Sequence, residues 1–387
     1  MAVDASGLPG SILFAVTEDW YFATHRKALA EQFLQQGIEV SVAARFSEHE
    51  MALQRVGFDC FRMPFERSLR RPWRDLGAAF KLAKLARKAQ PDIVQLVSFK
   101  PILLSLLGVY TSSRTQWVAA ITGMGYLFSS KDSRARWFKY LVLVALRLIM
   151  RAKNVSLLVQ NSEDRDLLIE LRVTTADRIA LIAGVGIDLD QFPRTPLPVG
   201  EPIVLLPARL LRDKGIEEFV TAARALRARS VKARFVLVGA VDVDNPAAIA
   251  VEQLEAWCAS SDIEWWGHRA DMADVYRQAS IVCLPSYREG LPKVLLEAAA
   301  CGRPLVATDV AGCRDVCRDA VNGFLVPARD PVALASAIAD VLAEPARWPR
   351  LAAAGRQMVE REYDVKAIAR QTLSLYRKLL LDQGSSA

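Results

Sequence analysis

Four residues in the second half of the chain have the types and spacing to hold a charged, hydroxyl-bearing ligand. Residues 205–215 read LLPARLLRDKG, an apolar run that ends at Pro207 and releases Arg209 and Lys214 together. An arginine fork with a lysine point charge suits a diphosphate. Taken alone, the same two residues fit a solvated loop. Residues 284–302 read LPSYREGLPKVLLEAAACG and carry Glu289 and Glu297. The pair lies eight residues apart, just over two helical turns at about 3.6 residues per turn. Gly290 is expected to precede a helix whose first turn contains Pro292, leaving backbone N–H groups for an anion. Glu297 is flanked by Leu295, Leu296 and Ala298–Ala300, the composition of a buried helix. A carboxylate in that setting needs a partner. By spacing alone, two surface carboxylates would also fit.

These residues need strand ends to position them, and the chain supplies alternating strands and helices. Ser11–Val16 reads as a buried strand and Thr24–Gln36 as a helix closed by Gly37, with Ile38–Ala43 the next strand. Helical Leu76–Ala89, strand Ile93–Val97, strand Gln116–Ile121, helical Arg134–Arg151 and strand Ser156–Gln160 continue the pattern. Glycines and prolines cluster at 184–200 and suggest a linker. The alternation then restarts with strand Ile203–Pro207 and helix Ile216–Ala228. Strand Arg234–Gly239, helix Ala247–Ser260, strand Ile263–Trp266 and helix Ala270–Ala279 follow. Strand Ile281–Pro285, helix Lys293–Ala300 and strand Pro304–Thr308 complete the run. Two such runs in 387 residues predict an α/β protein of two doubly wound, Rossmann-like domains. The boundaries expected are 1–190, 191–365 and a last helical segment at 366–387, with Ala367–Asp382 helical. In open α/β sheets ligands bind at the carboxyl ends of strands, which is where Arg209 and Lys214 fall.

Glu289-GLPKVLL-Glu297 resembles the E-x7-E signature of glycosyltransferase family 4. Arg209 and Lys214 stand where that family places its donor-diphosphate pair. Ala299–Val310, Asn322–Pro327 and Gly267–Val275 also read like the family, and Asp19–Ala30, Lys100–Pro101 and Thr122–Phe128 do so more loosely. The resemblance implies GT-B architecture, two Rossmann-like domains facing across a cleft, and a retaining, metal-independent hexosyl transfer from a nucleotide-diphosphate sugar. By the same resemblance Arg209 and Lys214 would neutralise the diphosphate and Glu289 would contact the transferred sugar. Glu297 would hold the ribose hydroxyls. The backbone of Gly290, Leu291, Pro292, Lys293, Val294 and Leu295 would cradle phosphate and sugar, while His268 and Arg269 border the base. No cofactor is implied beyond the donor itself. Asp242-Val243-Asp244 has the D-x-D spacing of a metal site but reads as a surface loop.

The first half is expected to hold the acceptor. Where the family's first loop has paired glycines, this chain has TEDWYFAT at 17–24, close to a Trp-Phe-x-x-His-Arg subgroup. His25 and Arg26 are therefore cleft candidates, against an ordinary histidine at a helix start. Lys100 is a phosphate-contact candidate, or a solvated loop lysine. Gly123 and Gly125 would permit close backbone approach, or simply make a turn. His49 is given no role, and Tyr287 and Met124 are positions that could set sugar choice.

The formal net charge of +7 is uneven. Residues 62–88 hold nine basic residues against Glu66 and Asp75, and residues 131–153 hold seven against Asp132. The remainder of the chain is net acidic. Both basic segments carry aromatics, Trp73 and Phe80 in one and Trp137, Phe138 and Tyr140 in the other. Such a mixture suits an anionic leaflet, although solvated helix faces have the same look. No nucleic-acid-binding motif accompanies the charge. No signal peptide or membrane-spanning run is read: Tyr140–Met150 is broken by Arg147 and falls short of about 20 residues. Six scattered cysteines, without a C-x-x-C pair, fit reduced thiols in the cytosol.

The subgroup resembled builds lipid-linked oligosaccharides. It implies UDP-N-acetylhexosamine as donor and a polyprenyl-diphosphate-linked acceptor, for cell-surface polysaccharide such as lipopolysaccharide, at the inner face of the cytoplasmic membrane. Two rival readings remain, a UDP-sugar 2-epimerase on the same fold and a non-catalytic sugar-nucleotide binder. The family pattern around Glu289 and Glu297 opposes the first, and the intact set of four residues opposes the second.

Overall fold

In the computed structural model, residues 7–66, 72–123, 133–242, 245 and 247–384 are described, with the backbone alone at 72, 133–138 and 384. Gly125, Met124 and Asp244 lie outside the described residues, as do the side chains of Trp137 and Phe138. The chain forms two units. One joins the residues up to Gly186 to those from Val365 onward, and the other is Ile187–Asp364.

The first unit carries strands β1 (Ser11–Glu18), β2 (Glu39–Arg45), β3 (Asp59–Arg62), β4 (Ile93–Val97), β5 (Gln116–Ile121), β6 (Val155–Val159) and β7 (Ile179–Leu181). They pair in parallel in the order β3-β2-β1-β4-β5-β6-β7. Parallel strands covered on both faces need near-continuous apolar sequence, and β4, β5 and β6 are buried at every position. Its helices are α1 (Asp19–His25), α2 (Lys27–Leu34), α3 (Glu50–Val56), α4 (Pro72–Ala89), α5 (Phe99–Leu104), α6 (Leu106–Thr111), α7 (Ser133–Met150) and α8 (Ser162–Glu170). The Asn161 side chain caps α8 by accepting the Asp164 N–H at 2.7 Å.

The helix expected at 24–36 begins earlier and breaks. Asp19, the first residue of α1, accepts the Trp20 N–H at 2.8 Å. Arg26, at φ −126° and ψ −23°, interrupts the helical backbone before α2. Gly37, at φ +78°, ends that segment as expected.

The second unit has strands β8 (Ile203–Pro207), β9 (Arg234–Val238), β10 (Glu264–Trp265), β11 (Ile281–Leu284), β12 (Leu305–Thr308) and β13 (Gly323–Val326), in the order β10-β9-β8-β11-β12-β13. Around them lie α9 (Ile216–Ala228), α10 (Val251–Ala259), α11 (Met272–Gln278), α12 (Lys293–Ala300), α13 (Ala311–Val316), α14 (Pro331–Ala343) and α15 (Trp348–Met358). Helix α10 starts four residues later than its apolar pattern suggested. Within the glycine- and proline-rich stretch at 184–200, Ile187 and Phe192 are buried and two arginines hold the backbone. Arg303, fully buried, donates to the Pro196 carbonyl at 3.0 Å, and Arg356 donates to the Phe192 carbonyl at 2.9 Å. Burial brings the Arg303 guanidinium down to about 10, and it donates to the Tyr276 and Pro196 carbonyls and to the Thr195 hydroxyl.

The last helix, α16 (Val365–Gly384), belongs to the first unit. Ile368, Ala369, Leu373, Tyr376 and Leu380 recur at helical spacing and pack into the cluster that holds Leu29 and Phe33 of α2. Full burial of each large aliphatic contributes about 1.5–3 kcal/mol, so this stripe fixes the returning helix. Among the described residues, no helix is long and apolar enough to cross a membrane.

Candidate active site

The sequence of strands in the second sheet reverses direction between β8 and β11. A crevice outside the carboxyl ends of two such strands is where doubly wound sheets take ligands. Lys214 follows β8 and Glu289 follows β11, and the fold brings them together: Lys214 Nζ lies 2.5 Å from Glu289 Oε1. Ser286, three residues before Glu289, donates its hydroxyl to the same oxygen at 2.7 Å. The Tyr287 N–H donates to the Asp213 carbonyl at 2.9 Å, tying the two strand-end loops by backbone as well. Gly215 allows this approach. Its φ is +71°, and a Cβ there would lie 2.1 Å from the Pro285 carbonyl oxygen.

Arg209 leaves the same strand end and is half exposed. Its Nη1 lies 3.3 Å from Asp242 Oδ2, with Asp242 well covered. The aspartate read from sequence as part of a plain loop is therefore a partner of the diphosphate candidate. Nothing in its spacing marks this, because the pairing follows from β8 and β9 lying side by side.

Glu289 lies on the strand-end loop ahead of the helix, as the sequence places it. Helix α12 begins at Lys293, and Pro292, at φ −75° and ψ 103°, stands at its N-cap. Gly290 and Leu291 form a loop ahead of it. The Leu295 N–H donates to the Pro292 carbonyl at 3.1 Å, so this amide is engaged within the helix rather than offered to a ligand. Gly312 of α13 seats this loop, since a Cβ on it would come within 2.3 Å of the Gly290 carbonyl oxygen.

Glu297 is buried on α12, and the structure supplies the partners that its surroundings require. Lys293 Nζ lies 2.8 Å from Oε1, one turn back on the same helix, and the Tyr276 hydroxyl donates to Oε2 at 2.9 Å. Burial pushes the Tyr276 phenol well above its ordinary value, and the Glu297 charge adds to this, so the phenol stays a donor. Lys293 also lies 5.9 Å from the centre of the Phe192 ring. Tyr276 sits on α11 with an apolar-face pattern, so its sequence signalled core packing and gave no sign of its hydroxyl's role.

At the β10 exit, His268 is exposed, and the Arg269 Nε donates to Asp271 Oδ1 at 2.7 Å. That bond and the charge of Arg269 bring Asp271 down to about 2. Tyr287 donates its hydroxyl to Glu218 Oε1 at 2.6 Å and lies under the Arg329 guanidinium, 4.5 Å from ring centre to Cζ.

In the first unit, His25 packs on the Tyr21 ring at 4.5 Å. Arg26 is 1% exposed rather than open to a cleft, because the break between α1 and α2 turns it into the core. Burial lowers its basicity, and the hydroxyls of Tyr21 and Tyr376 partly restore it. Lys100 is also buried and pairs with Asp75, Nζ to Oδ1 at 2.7 Å, rather than lying in a solvated loop. Gly123 takes φ +130° at the end of β5. The six cysteines are free thiols; Cys60 and Cys258 are half-buried and the other four buried.

Known proteins resemble both units of the chain. Residues 11–159 match the family model described as glycosyl transferase 4-like, and residues 201–344 match glycosyl transferases group 1. The chain is 27% identical over 357 residues to N,N'-diacetylbacillosaminyl-diphospho-undecaprenol alpha-1,3-N-acetylgalactosaminyltransferase of Campylobacter jejuni, covering 88% of this chain and 92% of that one. Its fold is similar to that of sucrose-phosphate synthase from Thermosynechococcus elongatus, with TM-score 0.79, 22% identity, and 96% and 99% of the two chains covered. It is similar too to Anabaena HepE in complex with UDP and glucose, with TM-score 0.77, 18% identity, and 94% and 98% covered. With two glycosyltransferase domain models, one over each parallel-sheet unit, the chain is a glycosyltransferase of GT-B architecture.

Proposed function

We propose that this enzyme is a retaining, metal-independent transferase that moves an N-acetylhexosamine from UDP to a saccharide carried on polyprenyl diphosphate. The observation that carries the reading is the Lys214–Glu289 pair across the β8/β11 switch point, with Arg209–Asp242 at the same sheet edge. Each cation has a carboxylate partner that a donor diphosphate can replace. Arg209 and Lys214 would then neutralise the phosphates, and Glu297, already fixed by Tyr276 and Lys293, would accept from the ribose hydroxyls. In the transfer, the bond from the anomeric carbon to the β-phosphate oxygen breaks and its electron pair leaves with UDP. The acceptor hydroxyl oxygen forms the new bond on the same face, and its proton passes to the departing phosphate. Glu289 would orient the sugar during this exchange.

The choice of donor and acceptor rests on likeness. The Campylobacter relative is named for N-acetylgalactosamine transfer onto an undecaprenol-diphosphate-linked sugar, and HepE was solved with UDP. Helix α4 supports work at a membrane surface, which we place on the cytoplasmic side. Trp73, Leu76 and Phe80 fall on one face, 71%, 54% and 59% exposed, and the exposed Lys84, Arg87 and Lys88 continue it.

The test is transfer of label from UDP-, GDP- and ADP-sugars into lipid extracted from membranes, with and without EDTA. The reading expects EDTA-resistant transfer from a UDP-N-acetylhexosamine into diphosphate-linked lipid. Label released only as a soluble UDP-sugar epimer would replace it with the 2-epimerase reading.

A further inference from the structure

The first sheet has a switch point of its own. Its order reverses between β1 and β4, so the crevice outside their carboxyl ends is the ligand edge of that unit. Backbone strain gathers there. Ser98, directly after β4, has φ +74° and ψ 165°, a conformation essentially reserved for glycine. Its N–H still donates to the Ala120 carbonyl at 3.1 Å, so the strain is held by the neighbouring strand.

Two residues further on, in the first turn of α5, comes Lys100, only 9% exposed, with its ammonium 2.7 Å from Asp75. Asp75 lies on the inner face of α4 among Ala78, Ala79 and Leu82. An ion pair buried to this degree gives little net stability, because desolvation offsets the attraction, and an apolar pair of similar volume would fold as well. Packing alone therefore does not account for a strained residue leading into a buried lysine at the ligand edge.

The acidic groups at the β1 exit are already engaged. Glu18 accepts from Arg45 Nη2 at 2.7 Å, and Asp19 accepts the Ser47 and His49 N–H groups at 2.7 and 3.0 Å. The arrangement parallels the second unit, where Lys214 waits on Glu289 at the equivalent strand reversal.

We propose that Lys100 is the phosphoryl-binding residue of the first unit, and that Asp75 is a positioning residue that holds its ammonium at the β1/β4 edge. The ligand class is a diphosphate ester; identifying it with the lipid-linked acceptor rests on the function proposed above. Asp75 sits on the same helix as Trp73 and Phe80.

The test is calorimetric titration of inorganic pyrophosphate into the full chain with the donor site saturated by UDP. A charge-assisted contact is worth about 1.5–3 kcal/mol, so Lys100→Met should weaken pyrophosphate binding roughly tenfold or more while leaving UDP affinity unchanged. Asp75→Asn should weaken it in the same direction, and Asp75→Glu should restore it. In steady state the acceptor KM rises while donor KM and kcat hold. Absence of pyrophosphate binding to the wild type under UDP overturns the site, as does undiminished binding by Lys100→Met. Should Lys100→Met lose UDP binding through misfolding, Lys100→Arg decides. Retained binding in that variant supports the site, and a folded Lys100→Arg without it overturns the site. Pyrophosphate binding that depends on Lys100, without any lipid-linked product, keeps this site and removes the acceptor assignment. Lipid-linked transfer indifferent to Lys100→Met does the reverse.

Discussion

Lys214 and Glu289 are 75 residues apart in the chain and 2.5 Å apart in space, one at the exit of β8 and the other at the exit of β11. Both are largely covered, at 18% and 13% side-chain exposure, so neither charge is neutralised by water alone. The pair keeps the ammonium at the switch point and gives it a partner that a more highly charged diphosphate outcompetes. A cation that meets charge developing on a leaving group typically contributes a factor of about 10²–10³ in kcat. Lys214→Ala should therefore lower transfer by about that factor, measured at saturating donor. A rate unchanged by this substitution would remove Lys214 from the chemistry.

Glu297 has a different expected signature. Its two oxygens hold Lys293 and the Tyr276 hydroxyl, so Glu297→Ala removes the acceptor of a buried phenol and the carboxylate beside Lys293. An orphaned buried donor costs about 1–3 kcal/mol, which should appear as a lowered urea midpoint. Glu297→Gln keeps an acceptor for Tyr276 and should retain most of the stability. It should raise the donor KM more than it lowers kcat, because ribose contacts persist from ground state to transition state. A Gln variant with normal donor KM would make Glu297 a purely structural carboxylate.

Much of this site was legible in the sequence, for identifiable reasons. Arg209, Lys214, Glu289 and Glu297 stand in segments whose apolar runs mark strand ends and a buried helix, and local pattern suffices to see that. The partners were not legible. Asp242 meets Arg209 because β8 and β9 are neighbours, Tyr276 meets Glu297 because α11 packs on α12, and Asp75 meets Lys100 from another helix. Those pairings depend on sheet order and helix packing, which no spacing encodes. The fold was read better than its boundaries. The two α/β runs are present and α12 starts where its pattern places it, while the α1/α2 break at Arg26 depends on a single backbone conformation and α10 starts four residues late. Short elements such as α3, β7 and α13 carry too few residues to show a period.

Gly215 gives a test that does not touch charge. It sits between Lys214 and the first turn of α9, with φ +71° and the Pro285 carbonyl where a Cβ would go. Gly215→Ala must either strain the backbone, at about 1–3 kcal/mol, or push the β8 loop away from β11. The displacement separates Lys214 from Glu289. The variant should melt at lower temperature and lose donor affinity in titrations with UDP, although no ligand-facing side chain has changed. An alanine variant that binds UDP normally would show that the close approach of these loops is not needed.

Helix α4 predicts lipid dependence. Trp73 and Phe80 are exposed on one face above the buried Ala78 and Leu82, so replacing them should not disturb the core. The double variant Trp73→Ser with Phe80→Ser should bind vesicles containing anionic lipid more weakly than wild type, while UDP binding is unchanged. Added salt should weaken the wild type further through the basic residues, since screening shortens the field to about 8–10 Å. Equal vesicle sedimentation by wild type and double variant would exclude this face as the docking surface.

Asp19 predicts a pH dependence of folding. It is fully buried at the β1–α1 junction and accepts from the Ser47 N–H, the Ser47 hydroxyl, the His49 N–H and the Trp20 N–H. Burial alone would raise its carboxyl, but these donors together outweigh it and hold the group below the usual aspartate value. With the folded pKa depressed, the unfolded chain takes up the proton first. The stabilisation is therefore complete above the unfolded value of about 3.9 and is lost as pH falls through the folded value. Asp19→Asn places an amide donor among donors and has no such titration. In urea unfolding, wild type should exceed the variant by a constant margin from pH 7 to 5, and the margin should shrink below about pH 4. A margin unchanged at pH 3 would mean that the carboxylate's charge does not hold the Ser47–His49 loop to the end of β1.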